Sequence, residues 1–280
     1  MRGPGPGSTG RVGNMADSVG VIGGSGLGEL VGGDRRPVAT PYGEAVVTVG
    51  ELGGREVVFI ARHGAGHTVP PNRVNARANA WALACLGVRA IVSTAAVGSL
   101  RAELAPERFA IADQLVDRTT GRAGTFFDGA DGVVRHLPFA EPFCPELRGL
   151  AAAAIPDAAP AATVAVIDGP RFSTAAESRI LREHGVDLVN MTLCPEVALA
   201  AELGMGTVAL CFVTDTDSGN AHDDPDAASA ELVFRRLAAA KLRITTALER
   251  LVGAVPDSYA PRPTIDDDAI RIVLARPAVP

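Results

Sequence analysis

Six short runs rich in β-branched and apolar residues recur along this chain: "VGVI" (19–22), "EVVFIA" (56–61), "AIVST" (90–94), "TVAVI" (163–167), "VDLVN" (186–190) and "TVALCFV" (207–213). Each gives way at its C-terminal end to small or polar residues, the signature of strands in an α/β sheet. Helical patterns lie between some of them, "RVNARANAWALACLG", "TAAESRILREHG" and "PEVALAAELG", all three ending in glycine, and an amphipathic stretch at 228–252 predicts a closing helix. This alternation predicts an α/β fold, a sheet flanked by helices. No composition shift divides the chain, so we expect one domain over 18–253. Residues 1–17, rich in glycine and proline, are expected to be disordered, with Met15 an alternative start, and 254–280 to form a tail.

Charge and cysteines narrow the classes of partner. A net charge of −6 and a pI near 5.4 argue against nucleic acid and against an anionic membrane surface. Cys85, Cys144, Cys194 and Cys211 are scattered without C-x-x-C spacing, each in or near an apolar stretch, which predicts buried free thiols in a reducing compartment. No run is long enough to cross a bilayer and the first residues lack the apolar core of a secretory signal, so the expected location is cytoplasmic.

The first strand runs into "GGSG" (23–26). A dinucleotide fingerprint fails because Glu29 stands where its last glycine belongs, and a P-loop fails because Glu29 and Leu30 replace its lysine and hydroxyl residue. A smaller anion cradled by bare backbone N–H groups and Ser25 survives both tests; a tight turn without a ligand explains the loop equally well by itself. Ligands of α/β sheets bind beyond the carboxyl ends of the strands, where the residues form a set. After the later strands come Arg62, His63 and His67; a second small-residue loop, "AAVGS"; Arg171, Phe172 and Ser173; Met191 and Thr192; and Asp215 and Asp217. Donors and a guanidinium suit a phosphate-sized anion, and Phe172 and Met191 suit a flat ring and sugar. Taken singly, Arg62 is an ordinary surface ion-pair partner, Phe172 and Met191 are core residues, and His136 is structural. The H-x-x-x-H spacing of His63 and His67 spans glycines with no adjacent glutamate, and "DTDSGNAHDD" misses the glycine and closing glutamate of a calcium loop, so no metal is expected.

Asp215 and Asp217 stand two apart at the end of an apolar run, which predicts strand side chains on one side. Burial and mutual repulsion then raise a pKa and make one a donor beside an acceptor, matching N7 and the 6-amino group of adenine. Two solvated loop aspartates capping a helix are the alternative.

From about residue 18 to 252 the chain resembles the trimeric class of purine nucleoside phosphorylases, and within it the S-methyl-5′-thioadenosine phosphorylases. The stretches that carry the likeness include "GVIGGSGL", "ARHGAGHTVPPNRVNARANAWAL", "DQLVDRTTGRAGTFFDG", "EPFCP", "GPRFSTAAESR", "VNMTLCPEVALAAELG" and "TDTD". The resemblance implies a mixed, partly barrel-like sheet flanked by helices, and phosphate attack on C1′ of a purine nucleoside. It implies no cofactor beyond phosphate as co-substrate, and a homotrimer or a dimer of trimers. By motif it places Ser25, Arg62, His63, Thr192 and the backbone near Ala95 on phosphate; Met191 on the ribose; Phe172, Ser173, Asp215 and Asp217 on the base; and His136 near the 5′ end of the sugar. A wall of Ala228, Ala230, Val233 and Phe234 is expected around an apolar 5′ group, and the tail carrying Leu274 is expected to reach a neighbouring subunit. Ala95 departs from the hydroxyl residue usual at its place, which removes a side-chain donor to phosphate. Two rival functions are a 6-oxopurine nucleoside phosphorylase, in which an asparagine would replace one aspartate, and a nucleoside-binding module without catalysis.

Overall fold

The computed structural model describes residues 18–129, 132–219 and 223–279. Nine strands make one mixed sheet: β1 (Val19–Gly23), β2 (Gly33–Thr40), β3 (Gly43–Leu52), β4 (Arg55–Ala61), β5 (Ala90–Ser99), β6 (Phe109–Asp117), β7 (Ala159–Val166), β8 (Leu188–Asn190) and β9 (Gly206–Asp215), in the order β2-β3-β4-β1-β5-β8-β7-β6-β9. Among the described residues six α-helices flank it: α1 (Ala76–Cys85), α2 (Pro145–Ala154), α3 (Ala175–Glu183), α4 (Leu193–Glu202), α5 (Ala230–Ala254) and α6 (Asp267–Leu274). All six apolar runs are strands. The N-terminal stretch expected to be disordered lies outside the described residues.

An additional parallel pairing of β5 with β9 closes β5, β8, β7, β6 and β9 into a ring. The sheet is therefore open on the β2 side and barrel-like on the other. Strands of the ring contribute Ala95, Val97, Ala110, Ala112, Ala162, Val164, Val166, Leu188, Ala209, Cys211 and Val213 to one buried cluster. So many alanines fit a ring of few strands, whose narrow interior is filled by side chains. Outside the ring the sheet has two apolar faces. Val19 and Val21 of β1 pack with the α5 stripe Leu237, Ala240, Ile244, Leu248 and Leu251, while Ile22 turns to Trp81, Leu83 and Leu199 of α1 and α4. A spacing of three to four along α5 puts those side chains on one face.

The parallel strands β1, β4, β5 and β9 end on the same edge, where the candidate site residues collect. One expectation changes here: "AAVGS" is the end of β5, which runs to Ser99, and not a loop. The β5–β9 register shifts between Val97 and Gly98, and Gly98 pairs with Asp215 of β9 and with Val189 of β8, which takes the edge of β5 beyond the end of β1. Gly98 is required at that crossing, because a Cβ there would sit 2.6 Å from Asp215 Oδ1 and 3.1 Å from the Asp217 backbone. The tail packs on its own chain: Ala269 and Val273 of α6 are buried, and Trp81 Nε1 donates to the Val273 carbonyl at 3.3 Å.

Candidate active site

A cavity of about 240 Å³ opens at that edge. Ser25, Arg62, His63, Phe172, Met191, Thr192, Asp215, Asp217, Val233 and Phe234 line it, joined by His67, Asn190 and Ala230. The structure thus gathers most of the expected set, from strand ends far apart in sequence. Ala95 is buried and lines an adjoining recess with Gly24 and Thr94, leaving Ala96, Val97 and Gly98 to face the cavity. Ser173 and His136 do not line it, and His136 is exposed. Arg171 pairs with Glu177 at 2.7 Å on the surface.

At one end lies the anion set. Arg62 follows β4 into the interior, where Nε donates to Glu196 Oε2 at 2.7 Å and Nη2 to Glu196 Oε1 at 2.9 Å. Nη2 also donates to Ser93 Oγ, and Nη1 to the Thr94 carbonyl at 2.8 Å. Four of the five N–H groups of a guanidinium are thereby used, leaving one on Nη1. This is a pinned fork and not a mobile surface arginine. Its carboxylate partner escaped the sequence reading, although the signal is present: Glu196 sits one residue after Pro195 in a helix that is otherwise apolar up to Glu202 at its end. Strand β1 pairs with β5 only as far as Ser93, so the edge beyond is taken by side chains. Asn190 Nδ2 donates to the Ala96 carbonyl, and Asn190 Oδ1 accepts the backbone N–H groups of Thr192 at 2.7 Å and Leu193 at 2.8 Å. That fixes Thr192 at the N-terminus of α4. Burial, and then the neighbouring Arg62 charge, push the His63 pKa down to about 4.

The two aspartates occupy the other end, arranged differently from the expectation. Strand β9 stops at Asp215; Asp217 lies beyond it in a turn at φ 53°, so the strand period does not bring them together. Instead the Asp217 N–H donates to Asp215 Oδ1 at 2.9 Å, and Thr214 Oγ1 lies 2.7 Å from Asp215 Oδ2. Burial is the largest cause raising the Asp215 pKa to about 6, with the Asp217 charge a smaller contribution. Burial raises Asp217 as well, opposed by a close hydrogen bond from Ser178 Oγ. Ser173, whose buried Oγ makes no hydrogen bond of normal geometry, is near enough to favour the charged form of Asp217.

Two further devices hold the walls. Arg122 donates to the carbonyls of Asp168, Met191 and Cys194 at 2.7–2.9 Å, tying the end of β7 to the start of α4. After β9 the chain doubles back, with Thr216 N–H on the Asp226 carbonyl and Ala228 N–H on that of Asp217. Arg236 Nη1 then caps the Thr214 carbonyl at 2.8 Å. The first turn of α5 is held over the cavity, where the Phe234 ring meets His67 edge-on at 5.1 Å. Among the described residues no group of three or more His, Cys, Asp or Glu is placed to hold a metal ion, and none of the helices there is long and apolar enough to cross a membrane.

Comparison with known proteins follows the same outline. The family model described as Phosphorylase superfamily matches residues 18–250. An S-methyl-5′-thioadenosine phosphorylase of Mycolicibacterium smegmatis is 50% identical over 205 residues, covering 72% of this chain and 78% of that protein. A 6-oxopurine nucleoside phosphorylase of Pyrococcus furiosus is 44% identical over 212 residues, covering 72% and 80%. Among solved structures, methylthioadenosine phosphorylase from Schistosoma mansoni in complex with tubercidin superposes with a TM-score of 0.78 at 32% identity, covering 92% of this chain and 96% of that one.

Proposed function

The chain belongs to the phosphorylase superfamily, and from that premise we propose that it cleaves S-methyl-5′-thioadenosine, or a closely related 5′-substituted adenosine, with inorganic phosphate. The products are adenine and the 5-substituted ribose 1-phosphate. The observation that carries the reading is the single cavity with a pinned arginine and hydroxyls at one end and two buried aspartates at the other. Cleaving the N-glycosidic bond leaves negative charge on the purine and positive charge on the ribosyl carbon, so an enzyme lowers the barrier by meeting both where they develop. In this reading Asp215 donates to N7 of the leaving base and Asp217 accepts from the 6-amino group, with Phe172 and Ser173 beside the ring. Ser25, Arg62, His63, Thr192 and the strand-end backbone by Ala95 hold phosphate below C1′, in position as nucleophile. Met191 packs on the ribose, and Val233 and Phe234 on the 5′ substituent.

His136 does not reach its own cavity, so its expected place at the 5′ end holds only across a subunit boundary; a homotrimer is part of the proposal, as are cytoplasmic location and independence of any metal or organic cofactor. The second reading, a 6-oxopurine nucleoside phosphorylase, draws on the Pyrococcus relative, but a buried carboxylate facing O6 would set two acceptors together. A panel of methylthioadenosine, adenosine, methylthioinosine and inosine, each with and without phosphate and chelator, tests the proposal by chromatography of the free base. Adenine should appear from methylthioadenosine only with phosphate, and chelator should change nothing. Release without phosphate would make the protein a hydrolase, and no release at all would favour a binding module. Asp217→Asn should lower kcat/KM for methylthioadenosine and raise it for methylthioinosine.

A further inference from the structure

We propose that His63 is a hydrogen-bond acceptor that reads the proton of the incoming anion, so that the site takes hydrogen phosphate in preference to sulfate; this rests on the phosphorolysis reading above. The argument begins at the other ring nitrogen. His63 Nδ1 lies 2.9 Å from the Val69 carbonyl, and a carbonyl only accepts, so Nδ1 carries the hydrogen. The Val69 N–H donates back to the His63 carbonyl at 2.9 Å, a reciprocal clamp on the ring. Nε2, which makes no hydrogen bond to the described residues, is then left with a lone pair, and His63 lines the cavity beside Ser25, Arg62 and Thr192.

Burial and the Arg62 charge oppose a second proton on the ring and outweigh the Val69 carbonyl, which favours one. The surroundings are buried; Arg62 adjoins it, and the His67 ring stands 4.3 Å away. A second recess that His63 also lines brings Phe234 and Lys241 of α5 and Glu29 of the glycine loop to its border, and none of them donates to Nε2. The remaining anion groups are the spare Arg62 N–H, two hydroxyls and backbone N–H groups, all able to donate. Hydroxyls donate or accept by rotating, so a cradle of these groups does not distinguish two tetrahedral dianions. One fixed acceptor does, because hydrogen phosphate brings an O–H to it whereas sulfate, which carries no proton near neutral pH, opposes it with another lone pair. Leaving that acceptor unpaired should disfavour sulfate by at least about tenfold.

Two measurements on the full-length protein test this. Nitrogen-15 NMR of labelled histidine should show His63 as the neutral Nδ1–H tautomer, with an Nε2 signal that moves on adding phosphate and not on adding sulfate. An imidazolium or an Nε2–H tautomer would overturn the inference whatever any variant does. Calorimetric titration with each anion at mildly alkaline pH, without nucleoside, should give the tenfold preference. In His63→Gln, whose amide offers a donor or an acceptor by rotating, that preference should shrink to less than about threefold. Equal binding of the two anions by the unaltered protein, with phosphate-dependent base release intact, would remove this inference alone. Failure of both anions to bind would remove the phosphorolysis reading with it.

Discussion

Holding Asp215 in its charged form inside the fold is unfavourable, and the size of that effect is measurable. Its pKa rises from 3.8 to about 6 through burial, so the folded state binds a proton that the unfolded chain has released. Stability from this group is therefore fully present below about 3.8, falls as pH rises through that interval, and is absent above about 6. The gap corresponds to about 3 kcal/mol at most. Asp215→Asn fits the same hydrogen bonds: its amide donates to Thr214 Oγ1, whose own proton goes to the Val97 carbonyl at 3.2 Å. Urea unfolding should find Asp215→Asn more stable than the parent above pH 6, by about 1–3 kcal/mol, with the difference vanishing towards pH 4. Its kcat should fall at least ~100-fold, as for loss of a general acid. A difference in stability that does not vary with pH would show that Asp215 titrates normally. For Arg62 the informative change is to lysine, since alanine would strand the Glu196 charge in the interior. Arg62→Lys keeps a cation but loses the fork, and the KM for phosphate should rise about 10- to 100-fold with a smaller change in kcat; an unchanged KM would take Arg62 out of the anion site. At this scale much was legible. A guanidinium, hydroxyls and carboxylates at strand ends announce their chemistry by type. Glu196, Asn190 and Arg122 did not, because their work is to hold other groups, and that depends on neighbours distant in the chain. Asp215 and Asp217 do lie together, but through a backbone hydrogen bond and not the strand period, since a left-handed residue beyond the strand leaves no trace in spacing.

At the scale of elements, the helices and strands found from sequence were those whose pattern matches one environment. The six apolar runs are buried on both faces, and α5 keeps an unbroken stripe. Strand β2, "GDRRPVAT", is mostly exposed and contains a proline, so neither periodicity nor composition marks it. Strand β6 was passed over for a similar reason: its second half turns outward in "QLVD", with Gln114, Val116 and Asp117 exposed. Helix α2, "PELRGLAAAA", buries only Leu147 and Ala151 in ten residues, too few to declare a face. On the proposed reading, substrate choice depends on the beginning of α5. Ser229 caps it, accepting from Leu232 N–H at 3.2 Å, and the next turn brings Val233 and Phe234 to the cavity. An apolar wall penalises a 5′-hydroxyl that must shed water, so kcat/KM for methylthioadenosine should exceed that for adenosine by at least ~10-fold. Replacing Phe234 by alanine should admit bulkier 5′-thioethers, and because the ring is 42% exposed the stability should change little. Adenosine as the better substrate of the unaltered protein would contradict the assignment of this helix turn.

The molecule as a whole is organised around β5, which pairs with β1 along Ala90–Ser93, with β9 along Ala90–Gly98 and with β8 at its end. Such a strand belongs to the open sheet and to the ring at once, so neither can come apart while the other stays closed. Unfolding should accordingly lack a half-molten stage. In native-state hydrogen exchange, the amides of β1, β5 and β9 should open with one common free energy equal to that of global denaturation; a separate, lower value for either the β1 or the β9 amides would show two independent units. A chain split between β4 and β5 should regain structure only when both pieces are present. The price of this arrangement is a slow search, since the ring closes only when β5 and β9, more than a hundred residues apart, have met, and the nascent chain has no complete sheet until β9 has left the ribosome.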